Sequence, residues 1–211
     1  MSFDRLAPFY RAMEFFTAGG KLQRCRTVLL GKIPVPGKIL LAGEGHGRTL
    51  RAVLEKFPDA EIVVVDSSAG MLKVARGNVP AGARVDFVLA DLLTWEGRRG
   101  DFDLIVTNFF LDCFAEDQLA LVVSNLAKMA APQADWLLAD FQVAEGRVAS
   151  LRSKVILGLL YAFFRAVCGL EATKLHPPDA ALAQVGFSRQ HRVLSDWGLL
   201  KSEWWAREQA K

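Results

Sequence analysis

Cysteine is scarce in this chain of 211 residues: Cys25, Cys113 and Cys168 stand far apart. An odd, scattered set makes neither a disulfide framework nor a zinc site, and reads as a reducing, cytoplasmic compartment. The three histidines, His46, His176 and His191, are equally dispersed, so no metal site is expected. No block of basic residues occurs, and the net charge is only +3. That argues against a nucleic-acid partner. The opening MSFDRLAPFYRAMEFF has acids early and no long apolar core, unlike a signal peptide. The most apolar run, VILGLLYAFFRAVCGL from Val155 to Leu170, is broken by Arg165 and falls short of the ~20 residues of a membrane span. There is no Ser/His/Asp or Cys/His pattern for covalent catalysis, no internal repeat and no low-complexity tract.

What is present suits one domain with a large core, since 52% of residues are apolar. Residues 4–30 carry Leu6, Phe9, Met13 and Phe16 at helical spacing, and Gly19-Gly20 divides them into two helices. KILLAG is a short strand ending in glycines. Leu50, Val53, Leu54 and Phe57 mark one face of a helix that Pro58-Asp59 ends. EIVVVD is β-branched and reads as a buried parallel strand. SSAGMLKVARGN is a short helix with serines able to cap it. VDFVLAD and FDLIVTN are the third and fourth strands, residues 116–130 a helix, and ADWLLADF the fifth strand. A long apolar helix over 147–170, a short helix after HPPDAAL and two late strands about Ser195-Asp196 and Gly198 complete the chain. Strands alternating with helices predict a parallel sheet covered on both faces.

Such sheets bind ligands at the carboxyl ends of their strands. Gly43, Gly45 and Gly47, in LAGEGHG, follow the first strand, where glycine lets a ligand approach the backbone. Asp66 ends the second strand, nineteen residues after Gly47. A carboxylate there suits two vicinal ribose hydroxyls, and suits equally the cap of the next helix. Asp91, after the third strand, can accept from an exocyclic amine or serve a turn. The dinucleotide fingerprint G-x-G-x-x-G fails, because position 48 is arginine.

The succession ILLAGEGHGR, VVVDSSAGMLKVAR, VDFVLADL, FDLIVTNFFLDCF and ADWLLADF resembles the motifs of class I S-adenosylmethionine (SAM)-dependent methyltransferases over residues 38–141. The resemblance implies a Rossmann-like α/β fold: a mostly parallel seven-stranded sheet, helices on both faces and a C-terminal antiparallel hairpin. It implies SAM as cofactor. Gly43, Gly45 and Gly47 would line its methionyl and ribose parts, and Asp66 would hold the ribose hydroxyls. Ser67 and Met71 would flank the adenosine, Asp91 and the Leu92 backbone would take the adenine edge, and Asn108 would border the methionine. The family's acid at the end of strand one is Leu41 here. Glu44 is a candidate substitute for the contact with the ammonium group, or a loop residue. Asp112 stands where relatives often have histidine; it reads as a general base, or as a loop aspartate.

The segment FDRLAPFYRAMEFFTAGGKLQRCR is similar to the opening of the ubiquinone/menaquinone-biosynthesis C-methyltransferases. That resemblance makes residues 1–33 an N-terminal cap over the cofactor within a single domain spanning 1–211. Tyr10 then becomes a candidate active-site wall, with Lys21 or Arg24 a weaker candidate for the SAM carboxylate. The expected activity is methyl transfer to a small apolar or aromatic acceptor. A non-catalytic SAM-binding protein and a nucleotide-dependent oxidoreductase stay as alternatives. Helix 147–170 is apolar over more than one face. It predicts an apolar, lipid- or quinone-like acceptor, or else a homodimer or peripheral membrane contact, unless neighbouring elements simply cover it.

Overall fold

The alternation of strands and helices read from the sequence recurs in the computed structural model, which describes residues 20–207. Its elements are α1 (Gly20–Thr27), β1 (Lys38–Ala42), α2 (Arg48–Lys56), β2 (Glu61–Asp66), α3 (Ala69–Arg76), β3 (Val85–Leu89), β4 (Phe102–Asn108), α4 (Glu116–Met129), β5 (Ala130–Phe141), α5 (Arg147–Cys168), α6 (Asp179–Gln184), β6 (Phe187–Ser195) and β7 (Leu200–Arg207). One turn of 3-10 helix, Leu111–Cys113, follows β4.

Seven strands form one sheet in the order β3-β2-β1-β4-β5-β7-β6. The first five run parallel, β7 returns antiparallel beside β5, and β6 closes the edge antiparallel to β7. This is the Rossmann-like sheet with a C-terminal hairpin. Its strand order reverses between β1 and β4, the place where such sheets bind ligands.

Alternation along the strands divides the core. Ile39 and Leu41 of β1 face Leu50, Val53 and Leu54 of α2 and Leu72 and Ala75 of α3. Leu40 faces the other way, into a cluster with Leu119, Val122, Val123 and Leu126 of α4. Each large side chain buried this way stabilises the fold by roughly 1.5–3 kcal/mol. Trp136 sits at the centre of the second layer, donating to Thr107 Oγ1 at 2.9 Å and meeting Phe187 edge-on.

Two boundaries differ from the sequence reading. β3 ends at Leu89 rather than Asp91, because the Asp91 carboxylate accepts from the Leu93 N–H and turns the chain. β5 begins at Ala130, four residues early, and its register against β4 breaks between Phe102 and Leu104. The exposed Pro132, which has no N–H to give a ladder, falls in that irregular stretch.

Candidate functional site

The sharp turn after β1 depends on glycine at three positions with positive φ: Gly43, Gly45 and Gly47. Their roles separate. A Cβ on Gly43 would lie 2.0 Å from the Phe110 ring, whereas one on Gly45 would meet nothing within 4 Å among the described residues. Gly45 therefore leaves open space above its backbone. Gly47 begins α2, and a Cβ there would come 2.9 Å from the Ala75 backbone, so it serves the packing of α2 on α3.

Asp66 at the end of β2 is buried and fixed by two backbone donors. Gly45 N–H reaches Oδ2 at 3.0 Å and Ser68 N–H reaches Oδ1 at 2.8 Å. Ser68 caps α3 by accepting from Met71 N–H at 3.1 Å. The capping role weighed for Asp66 thus falls to its neighbour.

A cavity of about 250 Å³ opens beside these residues. Gly43, Gly45, Asp66, Ser67, Met71, Asp91 and Leu92 wall one end. The other end is apolar and aromatic, formed by Phe109, Phe110 and Phe114 after β4, Phe141 at the end of β5, and Leu160, Tyr161 and Phe164 of α5. Asp112 and Cys113, in the turn after β4, also line the cavity. Four carboxylates face the cavity: Asp66, Asp91, Asp112 and Glu171, the last held by Gln118 at 2.8 Å. Among the described residues that line it there is no lysine, arginine or histidine.

Three expected site residues lie elsewhere. Glu44 does not wall the cavity; its Oε1 accepts from the N–H groups of Thr49 and Leu50 at 2.7 and 2.9 Å. The free N–H groups and positive end of a helix draw a carboxylate in this way. Burial lifts the Glu44 carboxyl from its ordinary 4.5 to about 7, although the two N–H donors and nearby Arg26 oppose the shift. Gly47 is taken up by helix packing, as above. Asn108 donates from its amide to Thr49 Oγ1 at 3.2 Å and is not among the residues that line the cavity. Tyr10 lies outside the described residues. Lys21 is engaged by Asp196 at 2.7 Å.

Leu160, Tyr161 and Phe164 belong to the apolar helix singled out in the sequence, whereas Phe109, Phe110, Phe114, Phe141 and Asp140 were not singled out. FDLIVTNFFLDCF contains Phe109 and Phe110 in plain view, but only the backbone turn at Phe109, with φ 52°, aims them at the cavity. The Phe109 ring is packed 5.1 Å from Phe141 and 5.0 Å from the Arg26 guanidinium. Asp140 sits at the carboxyl end of β5, the signal that singled out Asp66 at the end of β2.

Asp140 is 1% exposed and interacts with the Asp112 carboxyl, itself 8% exposed. Its Oδ1 accepts from Phe141 N–H, and its Oδ2 is buried without a hydrogen-bond partner. Burial raises both carboxyls above the ordinary carboxylate range, and the Asp112 charge raises Asp140 further against the pull of Lys201. Two like charges at such close quarters do not both ionise. A proton held on the Asp140 carboxyl would let it donate to the Asp112 carboxylate. Tyr161 hydroxyl fixes the turn by donating to the Asp112 carbonyl at 2.8 Å.

Residues 39–133 match the methyltransferase domain family. Over 85 residues the chain is 38% identical to a trans-aconitate 2-methyltransferase of Methylobacterium radiotolerans, covering 39% of this chain and 31% of that protein. A trans-aconitate 2-methyltransferase of Streptomyces avermitilis is 37% identical over 87 residues. The matched part spans about a third of these relatives. Among solved structures, an O-methyltransferase family protein from Burkholderia thailandensis superposes with a TM-score of 0.69 at 20% identity, over 98% of this chain and 63% of that one. A 1,6-didemethyltoxoflavin-N1-methyltransferase from the same organism, solved with 1,6-didemethyltoxoflavin and S-adenosylhomocysteine (SAH), superposes at 0.66 and 17% identity, over 98% and 86%. At these identities the structures share the fold.

Proposed function

We propose that the chain is a SAM-dependent methyltransferase acting on a small apolar or aromatic acceptor. One observation carries the reading: a single cavity at the switch point of the sheet is lined both by the glycines and acids that follow β1 to β3 and by aromatic residues, with Asp112 also in its wall. When bound, the cofactor supplies an electrophilic methyl group on a sulfonium. The chain's residues bind and orient. Asp66, which lines the cavity at the end of β2, takes the ribose hydroxyls, and Gly45 leaves the room a close approach needs. Ser67, Met71, Asp91 and Leu92 take the adenine. Asp112 accepts the proton of the acceptor's nucleophile, with Asp140 as the neutral donor that steadies its charge. Much of the rate then comes from holding nucleophile and methyl in line.

The acceptor differs in character from trans-aconitate, which carries three carboxylates. Carboxylates face this cavity and no cation does among the described residues, so a polyanion meets repulsion there. An uncharged ring or chain suits the phenylalanine walls. We read the chain as one domain with residues 1–33 as its cap; of that cap, α1 is packed on β7 through Cys25, whose thiol donates to the Lys201 carbonyl at 3.2 Å. Three separate thiols suit a reducing, cytoplasmic setting.

Calorimetry with SAH tests the reading. Asp66→Ala should weaken SAH binding about ten- to a hundredfold, roughly 1.5–3 kcal/mol for the lost charged hydrogen bonds. Unchanged affinity would remove Asp66 from the site. The second reading, a SAM-binding protein without turnover, is favoured by Leu41, fully buried where the family has an acid. Tight SAH binding with no labelled methyl transferred to any of a panel of phenols, quinols and aromatic amines would support it.

A further inference from the structure

Helix α5 uses one side to close the cavity, with Tyr161 buried and Leu160 and Phe164 against the lumen. Its other side carries Val148, Leu151, Val155, Leu159, Phe163 and Val167, exposed by 74, 66, 55, 69, 42 and 36%. Steps of three and four residues put these six on one line running roughly 28 Å along the helix. Scattered apolar residues on a surface need no partner, but a continuous stripe of this length does.

The charges beside it have one sign. The helix holds Arg147, Arg152, Lys154 and Arg165 and no acidic residue. Arg147, Lys154 and Arg165 are exposed and separated by seven and eleven residues, close to whole numbers of turns. They therefore lie along one flank of the helix. Arg152 pairs with Asp196 at 3.0 Å and lies 5.8 Å from the Trp197 ring. Trp197 is 72% exposed in the β6–β7 turn, held there with φ 60°, a conformation costly for a bulky residue. An indole held out in water beside an apolar stripe and a row of cations has the make-up of an interfacial anchor.

We propose that this face of α5 docks on an anionic lipid bilayer, with the stripe among the outer acyl carbons, the cations at the headgroup phosphates and Trp197 at the boundary. A second copy of the chain fits less well, because the helix would bring its cations to another without an acid to meet them. The nearby acids are Glu145, before the helix, and Asp196, already paired with Lys21 and Arg152. The helix lies on the surface rather than across it: among the described residues no helix is long and apolar enough to span a membrane. Resting on the methyl-transfer reading, this docking would bring the cavity behind α5 within reach of an acceptor dissolved in the bilayer.

The test is sedimentation of the full chain with vesicles of phosphatidylcholine alone, and of phosphatidylcholine with about one third phosphatidylglycerol. The chain should sediment with the anionic vesicles and be released by salt. The double variant Val155→Glu/Leu159→Glu should bind at least about tenfold less. Lys154→Glu/Arg165→Glu should bind less and lose most of its salt dependence. Both should keep wild-type SAH affinity, which checks that they fold. Failure of the wild-type chain to bind anionic vesicles overturns the proposal, as does equal binding by the stripe variant. It is also overturned if light scattering finds a dimer that the stripe variant turns into a monomer. Vesicle binding needs no cofactor, so loss of SAH binding would sink the methyltransferase reading and leave this result standing.

Discussion

Glu44 shows what one side chain's surroundings do to its chemistry. A sequence places it between two glycines of a ligand loop, yet its carboxylate serves the first N–H groups of α2. Burial lifts its pKa from 4.5 to about 7, so the folded chain holds a proton there that the unfolded chain has released. The stability this contributes is complete below about pH 4.5 and is lost as the pH rises through about 7. Glu44→Gln keeps the accepting oxygen and cannot ionise. Melting curves from pH 5 to 8 should therefore show the wild type losing stability relative to the variant as the pH rises. SAH affinity should be little changed in the variant, because the carboxylate does not wall the cavity. A variant destabilised by the same margin at every pH would show that neutralising this carboxylate is not what matters.

At the scale of elements, the site is made where β4 and β5 end side by side. The Phe109 N–H bonds to the Ala139 carbonyl at 2.7 Å, which sets the following turn against the last residues of β5 and brings Asp112 to Asp140. Both folded-state values are raised, so the pair's contribution to stability is greatest below the ordinary carboxylate range and is lost as the pH rises through those values. If neutral Asp140 steadies the Asp112 carboxylate, Asp140→Asn, whose amide also donates, should leave the acid limb of the kcat/KM profile near its wild-type position. Asp140→Leu should move that limb up by about one pH unit, since a hydrogen bond to the charged form is lost. Identical profiles for the two variants would assign Asp140 to packing alone. The strands that meet here were legible because period and punctuation are local: EIVVVD and FDLIVTN became β2 and β4 without a residue's change. Asp66, Ser67, Met71, Asp91 and Leu92 were legible because the carboxyl end of a parallel strand faces the ligand crevice. Which way Glu44 and Asn108 turn was not, since each answers to Thr49, a partner on α2 that no spacing identifies. The pairing of Asp112 with Asp140 was hidden for the same reason, being a contact between residues 28 positions apart.

Over the whole molecule, the sheet divides the work. Strands β1 to β3 and their turns wall the acid-and-glycine end of the cavity, while the aromatic end is assembled from the turn after β4, the end of β5 and the inner side of α5. The two ends share Phe110, whose ring lies on Gly43, but the α5 residues touch neither glycine turn nor Asp66 by any bond described above. Substitutions at side chains that do not touch one another have nearly additive energetic effects. Changing Phe164 should therefore separate acceptor recognition from cofactor binding. Phe164 is partly buried, lines the cavity and stacks edge-on with Phe163 at 5.4 Å, so Phe164→Ser removes apolar wall without opening the main core. SAH affinity by calorimetry should stay within about twofold of the wild type. Transfer of labelled methyl to an acceptor found in the panel should fall at least about tenfold in kcat/KM, with most of the loss in KM, as expected when a side chain binds ground and transition states alike. A variant that lost SAH binding in the same proportion would mean that the two ends of the cavity are one site, with the ring of Phe164 lying against the cofactor and not the acceptor.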